Sequence, residues 1–271
     1  PDASGVFCVH EPVFPAPPMA PPPQRPTPAW LIEAGYQDRR LGVLKSGKEA
    51  EVFLVERSSA ERTCLLAHKR YRPRNPGKGE LEELGFSKGT VYRNDAVYRR
   101  GWHLRTRDQR AVDRGTDHGR DVTAGMWPAN ELAMLGRAWA AGANVPYPVE
   151  RTEDGLLMEF IGDESLVAAP RLVNAALDRP ALGQAWQQLL ADLRRLTRAG
   201  VVHADLSVYN LLWWKGRVVV IDFPQAVHAI TNPAAADLLH RDVVNVATWF
   251  GNRGLRLDAE ATFVDLLRDL P

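Results

Sequence analysis

The chain has 271 residues, with 34 lysines and arginines against 33 aspartates and glutamates, so its net charge is +1; that length suits one large domain or two lobes around a cleft. A balance so near zero argues against wholesale non-specific nucleic-acid binding while leaving room for a local basic patch, and 45% hydrophobic residues is ordinary globular composition. Cys8 and Cys64 form neither a disulfide framework nor a zinc-ligand spacing, no apolar run approaches the roughly 18 residues of a membrane span, and no signal pattern opens the sequence, so a cytoplasmic protein with reduced thiols and no membrane association is expected.

In chain order, residues 1–29 hold ten of the twenty prolines and read as an extended arm, because proline can join neither a helix interior nor a sheet ladder. A short helix is expected over residues 30–40. Strand-like apolar runs at 41–44 and 50–55 flank a tight turn containing Ser46 and Gly47, a geometry that can turn backbone amides toward phosphates. Residues 63–71, TCLLAHKRY, read as a buried strand ending near Lys69. Within residues 72–126, the section from Arg93 to Asp121 is expected to lack a core of its own. It carries eight arginines and five aspartates, which suggests a flexible Arg-rich insert near the cleft, available to an acidic partner or RNA.

Glu131 is expected to open a helix in which Leu132, Leu135 and Trp139 recur at helical spacing and which Gly142 ends. A rigid connector at 144–148 leads to a strand and hinge at 156–162. Residues 181–199 form the clearest helix, with Trp186, Leu189, Leu190, Leu193 and Leu196 in one stripe, Pro180 before it and Gly200 after it. Residues 211–214 and 218–221 read as a hairpin around Lys215-Gly216. Two further helices follow, one after Asn232-Pro233 and one from Asp258.

The chemistry is concentrated at 201–227. Four residues separate Asp205 from Asn210, the spacing of the H-R-D-x-x-x-x-N loop of phosphoryl-transfer enzymes, and a second carboxylate, Asp222, follows the hairpin. Phosphoryl transfer needs a metal ion to neutralise phosphate oxygens, oxygen ligands to hold it, and a carboxylate to orient or deprotonate the acceptor. His203 is expected to fix the backbone near Asp222 and is not read as a catalytic base.

The strings HADLSVYN and IDFPQAV, with SGKEAEV at 46–52 and MEFIG at 158–162, resemble the RIO family of atypical protein kinases, nearest its first subfamily. The resemblance implies an α+β, two-lobed protein-kinase-like fold: the arm at 1–29, a β-rich small lobe at 30–160 and a mainly helical lobe at 161–271. It implies ATP and Mg²⁺, with Mn²⁺ possible. Asp205 would position the acceptor, and Asn210 and Asp222 would hold metal. Lys69 would contact phosphates and pair with Glu131, while Ser46, Gly47 and Lys48 would cover the phosphates; Lys45 stands where the family has a serine. At the adenine end, Met158 would line the pocket, with a carbonyl from Glu159 and an amide from Ile161.

The activity implied is that of a Ser/Thr protein kinase and autokinase. One alternative is an ATPase switch, phosphorylated transiently on Asp222, acting on a ribosomal particle or other partner. Another is a small-molecule kinase of the aminoglycoside or choline type. Asp222-Phe223-Pro224 in place of D-F-G, and the absence of A-P-E, leave little room for an activation segment.

Overall fold

The computed structural model describes residues 25–72, 106–114 and 116–271. Its first part is a five-stranded antiparallel sheet in the order β1-β2-β3-β5-β4, made of β1 (Gln37–Ser46), β2 (Ala50–Ser58), β3 (Thr63–Tyr71), β4 (Pro148–Arg151) and β5 (Gly155–Glu159). Leu31, Val55, Leu66 and Leu157 close one small core on this sheet. The edge strand β4 was not anticipated from sequence. It begins at Pro148, and proline, which lacks an amide donor, is tolerated at an edge or as a first strand residue.

The helix expected at residues 30–40 does not form. Arg62 donates to the carbonyls of Ala29 (2.7 Å) and Leu31 (2.9 Å), Leu31 and Ile32 are buried, and β1 begins at Gln37 opposite Ser58. Carbonyls that a helix would need are thus taken by a side chain from another hairpin, and tertiary pairing overrides local propensity.

The described part of the expected insert, residues 106–114 and 116–126, is largely helical and not a loop. It folds into α1 (Thr106–Asp113), where Val112 is buried, and the first part of α2 (Asp117–Ala140); the expected insert's remainder at 73–105, like most of the proline-rich arm, lies outside the described residues. Glu131 accordingly lies in the interior of α2, not in its first turn. Beyond the sheet the chain is mostly helical: α3 (Arg179–Arg198), α4 (Ala235–Gly251) and α5 (Ala259–Leu267).

On α3, Leu182, Trp186, Leu189, Leu193 and Leu196 are all buried, the stripe that a period of 3.6 predicts. The Asp178 side chain caps it by accepting from Ala181 N–H (2.9 Å), and Gly200 leaves it with φ +68°. Two small two-stranded sheets complete this half: β6 (Val201–Val202) pairs with β9 (Val227–His228) across the intervening chain, and β7 (Leu211–Trp214) forms a hairpin with β8 (Arg217–Val220). Lys215 and Gly216 both have positive φ, as a two-residue type I′ turn requires. The result is a two-lobed α+β fold with a cleft between sheet and helices. Among the described residues no helix is long and apolar enough to cross a membrane.

Candidate active site

Lys69 projects from β3 beside Val52 of β2, its register partner. Its Nζ lies 2.7 Å from Glu131 Oε1 and 2.5 Å from Asp222 Oδ1, joining β3, α2 and the segment after β8. Glu131 is only 2% exposed and well satisfied: Tyr71 Oη donates to Oε2, and Phe223 N–H to Oε1 at 3.1 Å. Burial opposes the Lys69 ammonium, but Asp222 and Glu131 outweigh it and hold its pKa above the ordinary range. Burial also opposes the Asp222 carboxylate, and Lys69 reverses that, keeping Asp222 below the usual carboxylate value.

The residues around Asp205 are positioned from below by Asp242 on α4, a carboxylate 1% exposed. It accepts from Ala204 N–H (2.7 Å) and Leu206 N–H (2.8 Å), the two amides flanking Asp205, while Arg241 donates to the Ala204 carbonyl. Burial pushes the Asp242 carboxyl up to about 6. Ala204 adopts φ +65° and Asp222 φ +74°, left-handed conformations that cost a residue with a Cβ and persist only where the surroundings over-determine them. His203 has the structural place expected of it: Nε2 donates to Ile221 O (3.0 Å), and its ring packs on Phe223. Asn210 Nδ2 donates to Asp205 O (2.9 Å), and Asn210 O accepts from Ile221 N–H (2.9 Å). The loop and Asp222 are therefore held together, as the hairpin between them requires.

On the sheet side, Gly47 N–H donates to Ala50 O (2.9 Å) and closes the turn between β1 and β2. Arg72 fastens this turn: Nε donates to Gly47 O (3.0 Å), and Nη2 to Ser46 Oγ (2.7 Å) and Glu51 Oε1 (2.6 Å). Ser46 in turn donates to Glu51 (3.2 Å). Its hydroxyl is thus engaged within the turn, and Ser46 does not line the cleft, which differs from the expectation that it covers phosphates. Neither Arg72 nor Glu51 was singled out from sequence. Glu51 is the last glutamate of SGKEAEV, but no local signal ties it to an arginine 21 residues on.

These groups border one cleft of about 890 Å³. Gly47, Lys48, Lys69 and Glu131 line its polar end together with Asp205 and Asp222, whereas Asn210, buried behind Asp205, does not line it. Val52, Ala67, Leu212 and Ile221 form apolar walls that run to Met158, Glu159 and Ile161. At that end the Glu159 carboxylate accepts from Tyr147 N–H (3.0 Å) and is raised by burial. Its backbone N–H donates to Tyr147 O (2.8 Å), while Ile161 O accepts from Ala169 N–H (2.9 Å). The side chain of Glu159 is thus committed to the connector.

The donor set fits a hard divalent cation only in company. No cluster of three or more His, Cys, Asp or Glu capable of holding a metal exists among the described residues. Asp222 presents a carboxylate to the cleft, and behind Asp205 lies the carboxamide of Asn210, whose Nδ2 is used by Asp205 O. Magnesium is commonly held by one or two carboxylates together with substrate phosphates and water, so these residues fit Mg²⁺ bound with a phosphorylated ligand.

The family model for the RIO domain matches residues 90–262. The RIO-type serine/threonine-protein kinase Rio1 of Haloferax volcanii is 33% identical over 86% of this chain and 70% of its own length. The serine/threonine-protein kinase rio1 of Schizosaccharomyces pombe is 36% identical over 46% of this chain, and human serine/threonine-protein kinase RIO3 is 37% identical over 48%. Each of these last two matches spans 25% of the relative.

Proposed function

This chain belongs to the RIO family, and we propose that it is a RIO-type kinase that, with ATP and Mg²⁺ or Mn²⁺, transfers the terminal phosphoryl group to serine or threonine hydroxyls of a protein or of itself. The observation that carries this reading is Lys69 Nζ held between Glu131 and Asp222 on the wall of a cleft that Asp205 also borders. A cation paired to two carboxylates from distant segments is costly to bury unless the arrangement has a use.

Phosphoryl transfer demands little covalent chemistry from a protein, so catalysis is positioning and charge stabilisation. The bound metal ion would neutralise charge on the phosphate oxygens. Lys69 binds phosphate oxygens from the sheet side, and Glu131 fixes where the ammonium sits. Asp222, together with Asn210 behind Asp205, would hold the metal. Asp205 orients the acceptor hydroxyl and takes its proton, on a backbone that Asp242 holds from both sides. Val52 and Ala67 on the sheet side, with Leu212 and Ile221 opposite, give an apolar slot for a flat base.

The test follows the γ-phosphoryl of labelled ATP with the purified protein. Asp205→Ala is expected to lose roughly 10²–10⁴ in transfer rate while binding ATP as the wild type does; full turnover in this variant would remove Asp205 from its role. Label that resists hydroxylamine supports a hydroxyl acceptor. Hydroxylamine-labile label that disappears in Asp222→Asn would replace this reading with an aspartyl-phosphate switch. Rapid phosphorylation of an amino sugar or amino alcohol would move the acceptor to small molecules.

A further inference from the structure

β1 is irregular near its end, and the irregularity decides where Lys45 points. Val43 pairs with Phe53 and Lys45 with Val52, so Leu44 is an extra, unpaired residue. In an unbroken ladder Lys45 would fall opposite Glu51, and a slip of one residue turns a side chain to the opposite face of the sheet. The bulge instead sets Lys45 opposite Val52, and both line the cleft; Leu44 lines it too, although neighbours in a regular strand alternate. Val52 is also the partner of Lys69. Lys45, Val52 and Lys69 therefore form a row across β1, β2 and β3, with the two lysine backbones roughly 10 Å apart, two strand spacings.

The inner lysine has two carboxylates within 2.7 Å. The outer one has Arg171 near it, across the cleft and also in the lining. Arg171 is anchored there, because its backbone bridges to Leu212 and its guanidinium donates to Tyr209 O. Burial first, and then the Arg171 and Lys69 charges, lower the Lys45 pKa, with Asp222 acting in the other direction. Like charges brought around a concave space repel, and an anionic ligand between them relieves the repulsion.

We propose that Lys45 contacts the phosphate chain of a bound nucleotide, the outer of two lysines that straddle it. This rests on the reading of the cleft as an ATP site and adds to it a contact that the β1 bulge creates. Lys45 is exposed as a residue although its ammonium is half-buried at the cleft mouth, and it stands near the end of a strand, so replacing it leaves the core intact.

The experiment measures equilibrium binding of ATP, ADP and adenosine to the full chain, as wild type, Lys45→Met and Lys45→Arg. Wild type is expected to bind ATP and ADP more tightly than adenosine. Lys45→Met should weaken ATP and ADP by about tenfold, the size of a lost charge-assisted hydrogen bond, leave adenosine within about twofold, and regain phosphate affinity as Lys45→Arg. An unchanged preference for ATP and ADP over adenosine in Lys45→Met, or an equal loss for all three ligands, overturns the inference and leaves the ATP reading standing. Wild-type protein that binds none of the three, or does not distinguish ATP from adenosine, overturns the ATP reading and the inference with it.

Discussion

Residues 201–210 and residues 46–50 face the same cleft, yet they are fastened differently. The first loop hangs from Asp242, a carboxylate 1% exposed, on a helix whose stripe of Leu238, Leu239, Val243, Val246 and Phe250 is core. The second is a turn between two strands, held by Arg72 reaching back to Gly47, Ser46 and Glu51, with Ser46 and Lys48 themselves exposed. The first sits on packed, desolvated hydrogen bonds, which are costly to break. The second is a two-strand turn fastened at its base by the buried Arg72–Glu51 pair, so only its exposed tip at Ser46 and Lys48 is free to adjust. On the proposed function, the acceptor would meet the loop anchored on the α4 helix, and the phosphates the turn whose tip is exposed.

Three measurements would break or sharpen that contrast. The largest effect is expected from Asp242→Ala, which strands the Ala204 and Leu206 amides. Each buried unsatisfied donor costs about 1–3 kcal/mol, so denaturant unfolding should show a loss of roughly 2–6 kcal/mol, with transfer activity falling alongside it. A loss below about 1 kcal/mol would mean that water or a shifted backbone replaces the carboxylate.

Next comes pH. The Asp242 carboxyl is raised from 3.8 to about 6 in the folded chain, so folding takes up a proton there between those values. Its contribution is full below about pH 4, is lost as pH rises through 6, and amounts to roughly 3 kcal/mol. The stability advantage of wild type over Asp242→Asn should therefore shrink from pH 4 to 7. An advantage that grows over that range would show that the two amide donors, and not burial, set this carboxyl.

The smallest effect on turnover is expected at the turn. Arg72→Ala should raise the KM for ATP severalfold with kcat nearly held, the pattern of lost uniform binding. A double-mutant cycle with Glu51→Ala should give a coupling of roughly 1–2 kcal/mol in stability. A fall in kcat as large as that of Asp205→Ala would make the turn part of the rigid machinery and erase the contrast.

How much of this was legible in advance differs by element. The β7–β8 hairpin and α3 were readable because a Lys-Gly turn, a Pro-led helix start and a stripe at 3.6-residue period are local facts. The start of α2 was not, because 106–126 is so polar that helix and solvated loop look alike there. Residues 30–40 failed for a different reason: Arg62, far along the chain, captures the carbonyls of Ala29 and Leu31. At the site, SGKEAEV and HADLSVYN marked the two loops but were silent on Arg72, Glu51 and Asp242, which hold them. The Asp242 signal was an acidic residue within an apolar helix stripe, Leu238, Leu239, Val243 and Val246, a pattern that marks a buried carboxylate in need of donors.

By itself the sequence determined the α+β class, the RIO resemblance, the spacing that sets Asp205 beside Asn210, and the hairpin that brings Asp222 back to them. These depend on groups a few residues apart, where backbone geometry leaves few choices. Only the tertiary structure decided that Glu131 meets Lys69 from a helix interior, that Arg72 ties the turn, that Asp242 carries the Asp205 backbone, and that a bulge at Leu44 brings Lys45 to the cleft. With 34 cationic and 33 acidic side chains in one chain, composition names every possible partner and selects none. Selection comes from packing, which buries a few charges, requires each to be matched, and leaves the rest in water.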